Sequence, residues 1–289
     1  MENIWTVGKI LSWTEKYFEN KNIPDSRLET EILLSSIMGC RRLDLVLRKD
    51  DILKKEALKS FKILILERQK RKPLSYLLGE HEFMGLKILV DENTLIPRPE
   101  TEILVEESLK ILEREKGKVA ADICTGSGCI AACLAKFSSA EIIYATDLSS
   151  KALEIAYKNI LKNNVVGKVI LKNGDLFNAF QGENIENKLD MIISNPPYVA
   201  ENELAALQPE ISYEPKMALN GGKDGLDFYR RISSEAHFYL KPGGYLIMEM
   251  NSAKSAEINK IFETNGVKVE KTVKDFSSLE RVIIGKING

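Results

Sequence analysis

Six residues past the middle of the chain, Ser194-Asn195-Pro196-Pro197-Tyr198-Val199, close an apolar run, Leu189 to Ser194, that reads as a buried strand. Proline has no amide hydrogen for a ladder and forces the residue before it to be extended, so Asn195, Pro196 and Pro197 must lie beyond the paired part of that strand. A side-chain amide is thus displayed on a stiff edge, with Tyr198 beside it. For an isolated Pro-Pro a plain strand ending is the favoured explanation, so the rest of the chain must decide what this one does.

A second stretch, from Asp122 to Ala131 (DICTGSGCIA), places Cys124, Thr125, Gly126, Ser127 and Gly128 at a turn from strand to helix, where bare backbone lets a ligand approach closely. With Ala131 in third place it fits the looser dinucleotide pattern, and Asp147 ends the next strand, where an acid accepts hydrogen bonds from ribose hydroxyls. Loop and acid together predict an adenosine-containing cofactor. Asp175, with Leu176 after it, puts a further acid on the same rim, suited to the exocyclic amine of adenine. A dehydrogenase would be expected to show a His, a Lys or a Tyr-Lys pair for proton transfer and would have no use for Asn-Pro-Pro-Tyr.

The elements that must position these residues change character along the chain. From Trp5 to about Leu78, apolar residues recur three or four apart, which predicts a small helical bundle over residues 1–78. Ser26 to Glu29 fits a capping box, and Gly39 fits a helix stop. Residues 79–96 alternate around Met84-Gly85 and predict a hairpin linking two domains. Pro99, Glu100 and Glu102 suit the first turn of the next helix. Across 97–289, strands and helices alternate as βαβαβ, which predicts an α/β fold with a doubly wound, mostly parallel sheet and ligands at the C-terminal strand ends. The last two strands have no helix between them, so they should pair antiparallel.

The 289 residues are 44% hydrophobic and 29% charged, which suits a soluble chain with ample core. Without a membrane-length apolar run or a signal sequence, a cytoplasmic location is expected. Cys40, Cys124, Cys129 and Cys133 form no CxxC pair and only His81 and His237 are present, so reduced thiols and no metal are expected. Residues 1–90 carry 17 Lys and Arg against 13 Asp and Glu, and the remainder 24 against 29. That modest asymmetry fits an anionic partner of the N-terminal part, for instance one bound to RNA, and a solvated helical surface explains it as well.

Taken together, LIPRPETEILVE, DICTGSGCIAACLA, SNPPYV, EPKMALNGGKDGLDFYRRI and LERVIIGK, behind RLETEILLSSIMG and RQKRKPLSYLLGEHEFMGL, resemble the release-factor glutamine methyltransferases (the HemK/PrmC family), over nearly the whole chain and in order. The resemblance implies a Rossmann-like methyltransferase fold and S-adenosyl-L-methionine as cofactor. It also implies methylation of the glutamine amide in the Gly-Gly-Gln motif of peptide-chain release factors. The helical bundle would hold that protein substrate, and a monomer needing neither nucleic acid nor membrane is expected. Asn195, Pro196, Pro197 and Tyr198 would then be catalytic: the Asn195 oxygen and the Pro196 carbonyl would accept the two amide hydrogens, and Tyr198 would pack on the amide plane. Cofactor binding would fall to Cys124 through Gly128, Asp147, Asp175, Leu176, Asn195 and Arg98, the last because its segment would cover the cofactor. Asn220 to Asp227 would wall the substrate cleft.

Asp122 is open between bracing the glycine loop and touching cofactor, and Glu249 between a structural and a catalytic carboxylate. Two departures from the family pattern are Glu249-Met250-Asn251 after the fifth strand and Ser277-Ser278 where a glycine turn is usual. A nucleic-acid adenine methyltransferase remains an alternative, because adenine's amine presents the same two hydrogens, and an NAD-dependent oxidoreductase is a more distant one.

Overall fold

The computed structural model describes residues 4–113 and 117–287, which fall into two units. The first comprises the chain up to Gly79 together with Gln208–Tyr213. Its helices are α1 (Val7–Asn20), α2 (Ser26–Met38), the single turn α3 (Asp44–Leu47), α4 (Lys55–Gln69) and α5 (Leu74–Leu78). Val7, Ile10 and Phe18 of α1 recur on one face and close over Leu33 and Leu34 of α2 and Phe61 and Ile65 of α4. Gly39 ends α2 in the left-handed conformation, φ +58°, with its N–H on the Ser35 and Ser36 carbonyls, as a glycine stop requires.

The capping box at Ser26 does not form. Asp25 stands at the cap without a side-chain hydrogen bond, and Ser26 Oγ turns back to donate to the Ile23 carbonyl at 2.7 Å. Glu29, its would-be partner, is claimed by Arg68, which is only 2% exposed and donates to both Glu29 oxygens at 2.6 and 3.1 Å and to Glu210. Leaving a guanidinium unpaired in that core would cost several kcal/mol, more than the roughly 1 kcal/mol of a cap, so the tertiary demand on Glu29 wins.

The second unit spans Glu80–Leu207 and Glu214–Gly289. It opens with the antiparallel hairpin β1 (Glu80–Phe83) and β2 (Leu86–Leu89), turned at Met84 and Gly85, both at positive φ as a two-residue hairpin loop demands. This hairpin belongs to the second unit. Asn159, fully buried, accepts the Leu89 N–H at 2.6 Å and donates to the Leu89 carbonyl at 3.0 Å. Then follow α6 (Pro99–Leu112), β3 (Val119–Ile123), α7 (Cys129–Phe137), β4 (Ile142–Asp147), α8 (Ser150–Lys162), β5 (Val169–Asn173), β6 (Leu189–Ser194), α9 (Asp227–Tyr239), β7 (Leu240–Glu249), α10 (Ser255–Thr264), β8 (Val267–Lys274) and β9 (Glu280–Ile287). Pro99 occupies the first turn of α6, where its missing N–H costs nothing.

The seven strands lie in the order β5-β4-β3-β6-β7-β9-β8, parallel through β7, with β9 antiparallel to both β7 and β8. The order reverses at β3, and the crevice beyond the carboxyl ends of strands at such a reversal is where doubly wound sheets take ligands. Register does the rest. Ile123 pairs with Thr146 and with Ser194, Asp147 with Asn173, and Ser194 with Met248. Residues that are far apart in sequence, following or ending β3, β4, β5, β6 and β7, therefore emerge along one rim. At the β8–β9 turn Ser278 is held at φ +64°, a conformation costing an L-residue about 1 kcal/mol that glycine would adopt freely.

Candidate active site

Along that rim runs a cleft of about 260 Å³, and its lining includes Cys124, Gly126, Asp147, Asp175, Leu176, Asn195 and Pro197 among the residues singled out from the sequence. Thr125, Ser127, Gly128, Pro196, Tyr198 and Arg98 do not line it. Asn220 and Phe228, at either end of the Asn-Gly-Gly loop, form part of one wall.

The two glycines of the loop do different work. Gly126, at φ +54°, lines the cleft, and a Cβ there would meet no protein atom within 4 Å. Gly128, at φ +75°, is required by packing: a Cβ there would stand 2.9 Å from that of Ala156, where α7 starts against α8. Cys124 and Leu176 also line the cleft at positive φ, +63° and +51°, a strained backbone that clusters at ligand sites. No feature of the sequence reveals that strain, because neither residue type favours it.

Asp147 is fixed before any ligand arrives. Its Oδ2 accepts the Gly126 N–H and its Oδ1 the Ser149 N–H, both at 2.8 Å. Burial raises its affinity for a proton, opposed by these backbone donors. One Asp175 oxygen accepts from Arg231 at 2.7 Å. Asp122 lies beneath the loop, fully buried. Its Oδ2 accepts from Thr125 Oγ1 at 2.5 Å and from the Ala131 N–H at 3.2 Å, while Oδ1 has no partner. Burial pushes this carboxyl up to about 7. Asp122 therefore braces the loop and does not line the cleft.

Arg98 reaches Glu214, which also accepts the Ile96 N–H at 3.3 Å. Its guanidinium therefore answers a buried carboxylate and does not line the cleft.

Around Asn195 the polar groups form a chain that sequence reading did not foresee. Asn195 Nδ2 donates to Thr101 Oγ1 at 3.0 Å, and Thr101 Oγ1 donates to Glu249 Oε2 at 2.6 Å. Tyr198 OH donates to Glu249 Oε1 at 3.3 Å, and Tyr229 OH to the Glu249 carbonyl at 2.9 Å. Glu249 is 2% exposed, and burial pushes its carboxyl up to about 7. Tyr198 thus faces a buried carboxylate through its hydroxyl, which holds the Asn-Pro-Pro segment at the strand end. Thr101 sits 94 residues from Asn195 and 148 from Glu249, so no local spacing could have joined them.

The arrangement suits an adenosine-containing ligand: an open glycine turn, an anchored carboxylate and a second acid at the next strand end. Thr146, another lining residue, has a fully buried Oγ1 without a hydrogen-bond partner. Among the described residues no cluster of three or more His, Cys, Asp and Glu could hold a metal ion, and no helix is long and apolar enough to cross a membrane.

Residues 9–79 match the model of the PrmC N-terminal domain, and residues 100–222 that of the methyltransferase small domain. A release factor glutamine methyltransferase of Geobacter sulfurreducens is 39% identical over 285 residues, covering 98% of both chains. One of Clostridium acetobutylicum is 38% identical, covering 90% of this chain and 91% of its own. Among solved structures, a methyltransferase from Pyrococcus furiosus superposes with a TM-score of 0.53 at 24% identity, covering 72% of this chain and 91% of that one, a likeness of fold.

Proposed function

Since the chain belongs to the release factor glutamine methyltransferase family, we propose that it transfers a methyl group from S-adenosyl-L-methionine to the side-chain nitrogen of the glutamine in the Gly-Gly-Gln motif of peptide-chain release factors. The observation that carries this reading is the single cleft that joins Asn195 and Pro197 to Gly126, Asp147 and Asp175. A site for nucleoside binding and a site for presenting an amide meet there.

When bound, S-adenosyl-L-methionine supplies an electrophilic methyl on a sulfonium. Gly126 leaves room at the loop, Asp147 accepts from the ribose hydroxyls and Asp175 from the adenine amine. A glutamine amide is a poor nucleophile, because the resonance that gives an amide bond its rotation barrier of about 18–20 kcal/mol also withdraws the nitrogen's lone pair. The chain's contribution is to orient and polarise it. Asn195 Oδ1 and the Pro196 carbonyl each accept one amide hydrogen, which aims the nitrogen and favours the positive charge that develops on it. The ring of Pro196 fixes φ and keeps its carbonyl rigid. No strong base is needed at the nitrogen, since the methylated, protonated amide is very acidic and loses its proton after transfer.

The helical unit holds the release factor, and the enzyme acts as a monomer in the cytoplasm. The reading is tested by incubating the protein with labelled S-adenosyl-L-methionine and, separately, a release factor, the same factor with its Gly-Gly-Gln glutamine replaced by Ala, and duplex DNA. Label is expected on the unaltered factor alone. Label on the DNA, or equal label on the Ala version, overturns it.

A further inference from the structure

Asn195 presents two faces that are alike in shape and opposite in chemistry. Oδ1 accepts, Nδ2 donates, and half a turn of the amide exchanges them. Transfer to a glutamine nitrogen requires Oδ1 toward the substrate, since Nδ2 there would oppose the substrate's hydrogens with its own. The choice is made from behind. Nδ2 lies 3.0 Å from Thr101 Oγ1, and that hydroxyl lies 2.6 Å from Glu249 Oε2. An ionised carboxylate only accepts, so the threonine's one hydrogen is committed to it and a lone pair faces Asn195. Only Nδ2 can satisfy that lone pair. Thr101 and Glu249 are each 2% exposed, and Tyr198 OH fills the other carboxylate oxygen, so the direction of the chain is set within the protein.

We propose that Thr101 and Glu249 are positioning residues that fix the Asn195 amide with its oxygen toward the substrate, through a buried relay from the first turn of α6 to the end of β7. The inference rests on the reading of Asn195 as acceptor for the substrate amide. The relay is reversible by one proton. A protonated Glu249 donates to Thr101, which then donates its own hydrogen to Oδ1 of a flipped Asn195. Facing Glu249 are Glu100 of α6, Cys129 of α7, Tyr198 after β6, Tyr229 of α9 and Arg281 of β9. Burial holds the two phenols and the thiol protonated throughout the neutral range. Burial pushes the carboxyl of Glu249 up to about 7, so it titrates in that range.

The test compares kcat and KM for a release factor, and S-adenosyl-L-methionine affinity by calorimetry, in Thr101→Val, Thr101→Ser, Asn195→Asp and the Thr101→Val, Asn195→Asp double variant. Thr101→Val should lower kcat by about tenfold or more, the rate equivalent of one lost hydrogen bond, with KM and cofactor affinity little changed. Thr101→Ser should restore most of it. In the Asn195→Asp background both side-chain oxygens accept and no orientation needs choosing, so Thr101→Val should cost far less. Wild-type kcat should fall as pH drops through about 7, and Glu249→Gln should lack that limb. The proposal is overturned by normal kcat in Thr101→Val or equal impairment in Thr101→Ser. An undiminished effect in the Asn195→Asp background, or an unchanged acid limb in Glu249→Gln, overturns it as well. A wild-type protein inactive on the release factor refutes the functional reading itself and this inference with it.

Discussion

Two buried carboxylates sit under the two halves of the same rim, and they are built alike. Asp122, beneath the glycine loop, accepts a threonine hydroxyl at 2.5 Å, and Glu249, beneath Asn195, accepts one at 2.6 Å. Burial pushes both up to about 7. What they hold differs. Asp122 also accepts a backbone N–H, that of Ala131, and so stiffens main chain, while its Oδ1 goes unpartnered. Glu249 has a hydroxyl on each side-chain oxygen and, through Thr101, controls which way a side chain faces. On the reading proposed above, one device serves shape on the cofactor half and chemical direction on the amide half. Damage on the first half should appear in binding, and damage on the second in turnover.

The sharpest way to break that division is Asn195→Ala. It removes one proposed acceptor of the substrate amide and leaves Gly126 and Asp147 untouched. Methyl transfer should fall by about 10²- to 10³-fold, the usual cost of one preorganised polar group, while S-adenosyl-L-methionine binds almost normally. Single-turnover methylation at saturating release factor measures the first, and calorimetry the second. Wild-type turnover would leave Asn-Pro-Pro-Tyr as nothing more than a stiff end to β6.

The two halves also differ in how far the sequence discloses them. Proline chemistry alone places Asn195 past the last paired residue, and the ladder does end at Ser194. The acid at the end of β4 and the glycine turn after β3 are legible for the same reason: local rules put them at strand ends, and the parallel register lines those ends up. The support behind Asn195 is not legible. Thr101 reads as an ordinary first-turn helix residue, and only folding brings it between Asn195 and Glu249. Asn159, which donates to the Ser127 carbonyl at 2.8 Å as well as holding Leu89, is hidden in the same way inside an amphipathic helix pattern. Where the local capping rule met a buried charge it lost, since Arg68 took Glu29 from the expected cap; Arg98, placed over the cofactor by the resemblance, instead pairs with Glu214.

A smaller effect, confined to the cofactor half, is expected from Asp147→Ala. The carboxylate is held by two backbone donors, so its loss frees Gly126 as well as removing the proposed contact to ribose. Charge-assisted hydrogen bonds contribute about 1.5–3 kcal/mol, so cofactor affinity should weaken at least tenfold. At saturating cofactor, kcat should recover much of its wild-type value, in contrast to Asn195→Ala. Unchanged affinity by calorimetry would remove Asp147 from the binding site. A kcat that stays as low as that of Asn195→Ala would erase the division between the halves.

The mildest change in function, and the finest probe of the comparison, is Asp122→Asn. The amide oxygen keeps an acceptor for Thr125 and Ala131, and its nitrogen takes the position where Oδ1 has no partner. Cofactor affinity should therefore change by less than about threefold. Stability should respond to pH instead. Burial lifts the folded carboxyl from its ordinary 3.8 to about 7, so between those values the native state binds more protons than the unfolded chain and stability falls as pH rises. Below about 4 both states are protonated and nothing is lost; above about 7 the loss is complete. Asparagine cannot ionise and removes this contribution, whereas Glu249, present in both proteins, cancels. One pKa unit corresponds to about 1.4 kcal/mol, and 1 kcal/mol shifts Tm by roughly 2–4 °C in a domain of about 150–250 residues. The variant's Tm should thus gain several degrees on wild type between pH 5 and pH 8. A Tm difference that stays flat over that range would mean that Asp122 is not held against ionisation by its burial, and the likeness between the two carboxylates would end at their geometry.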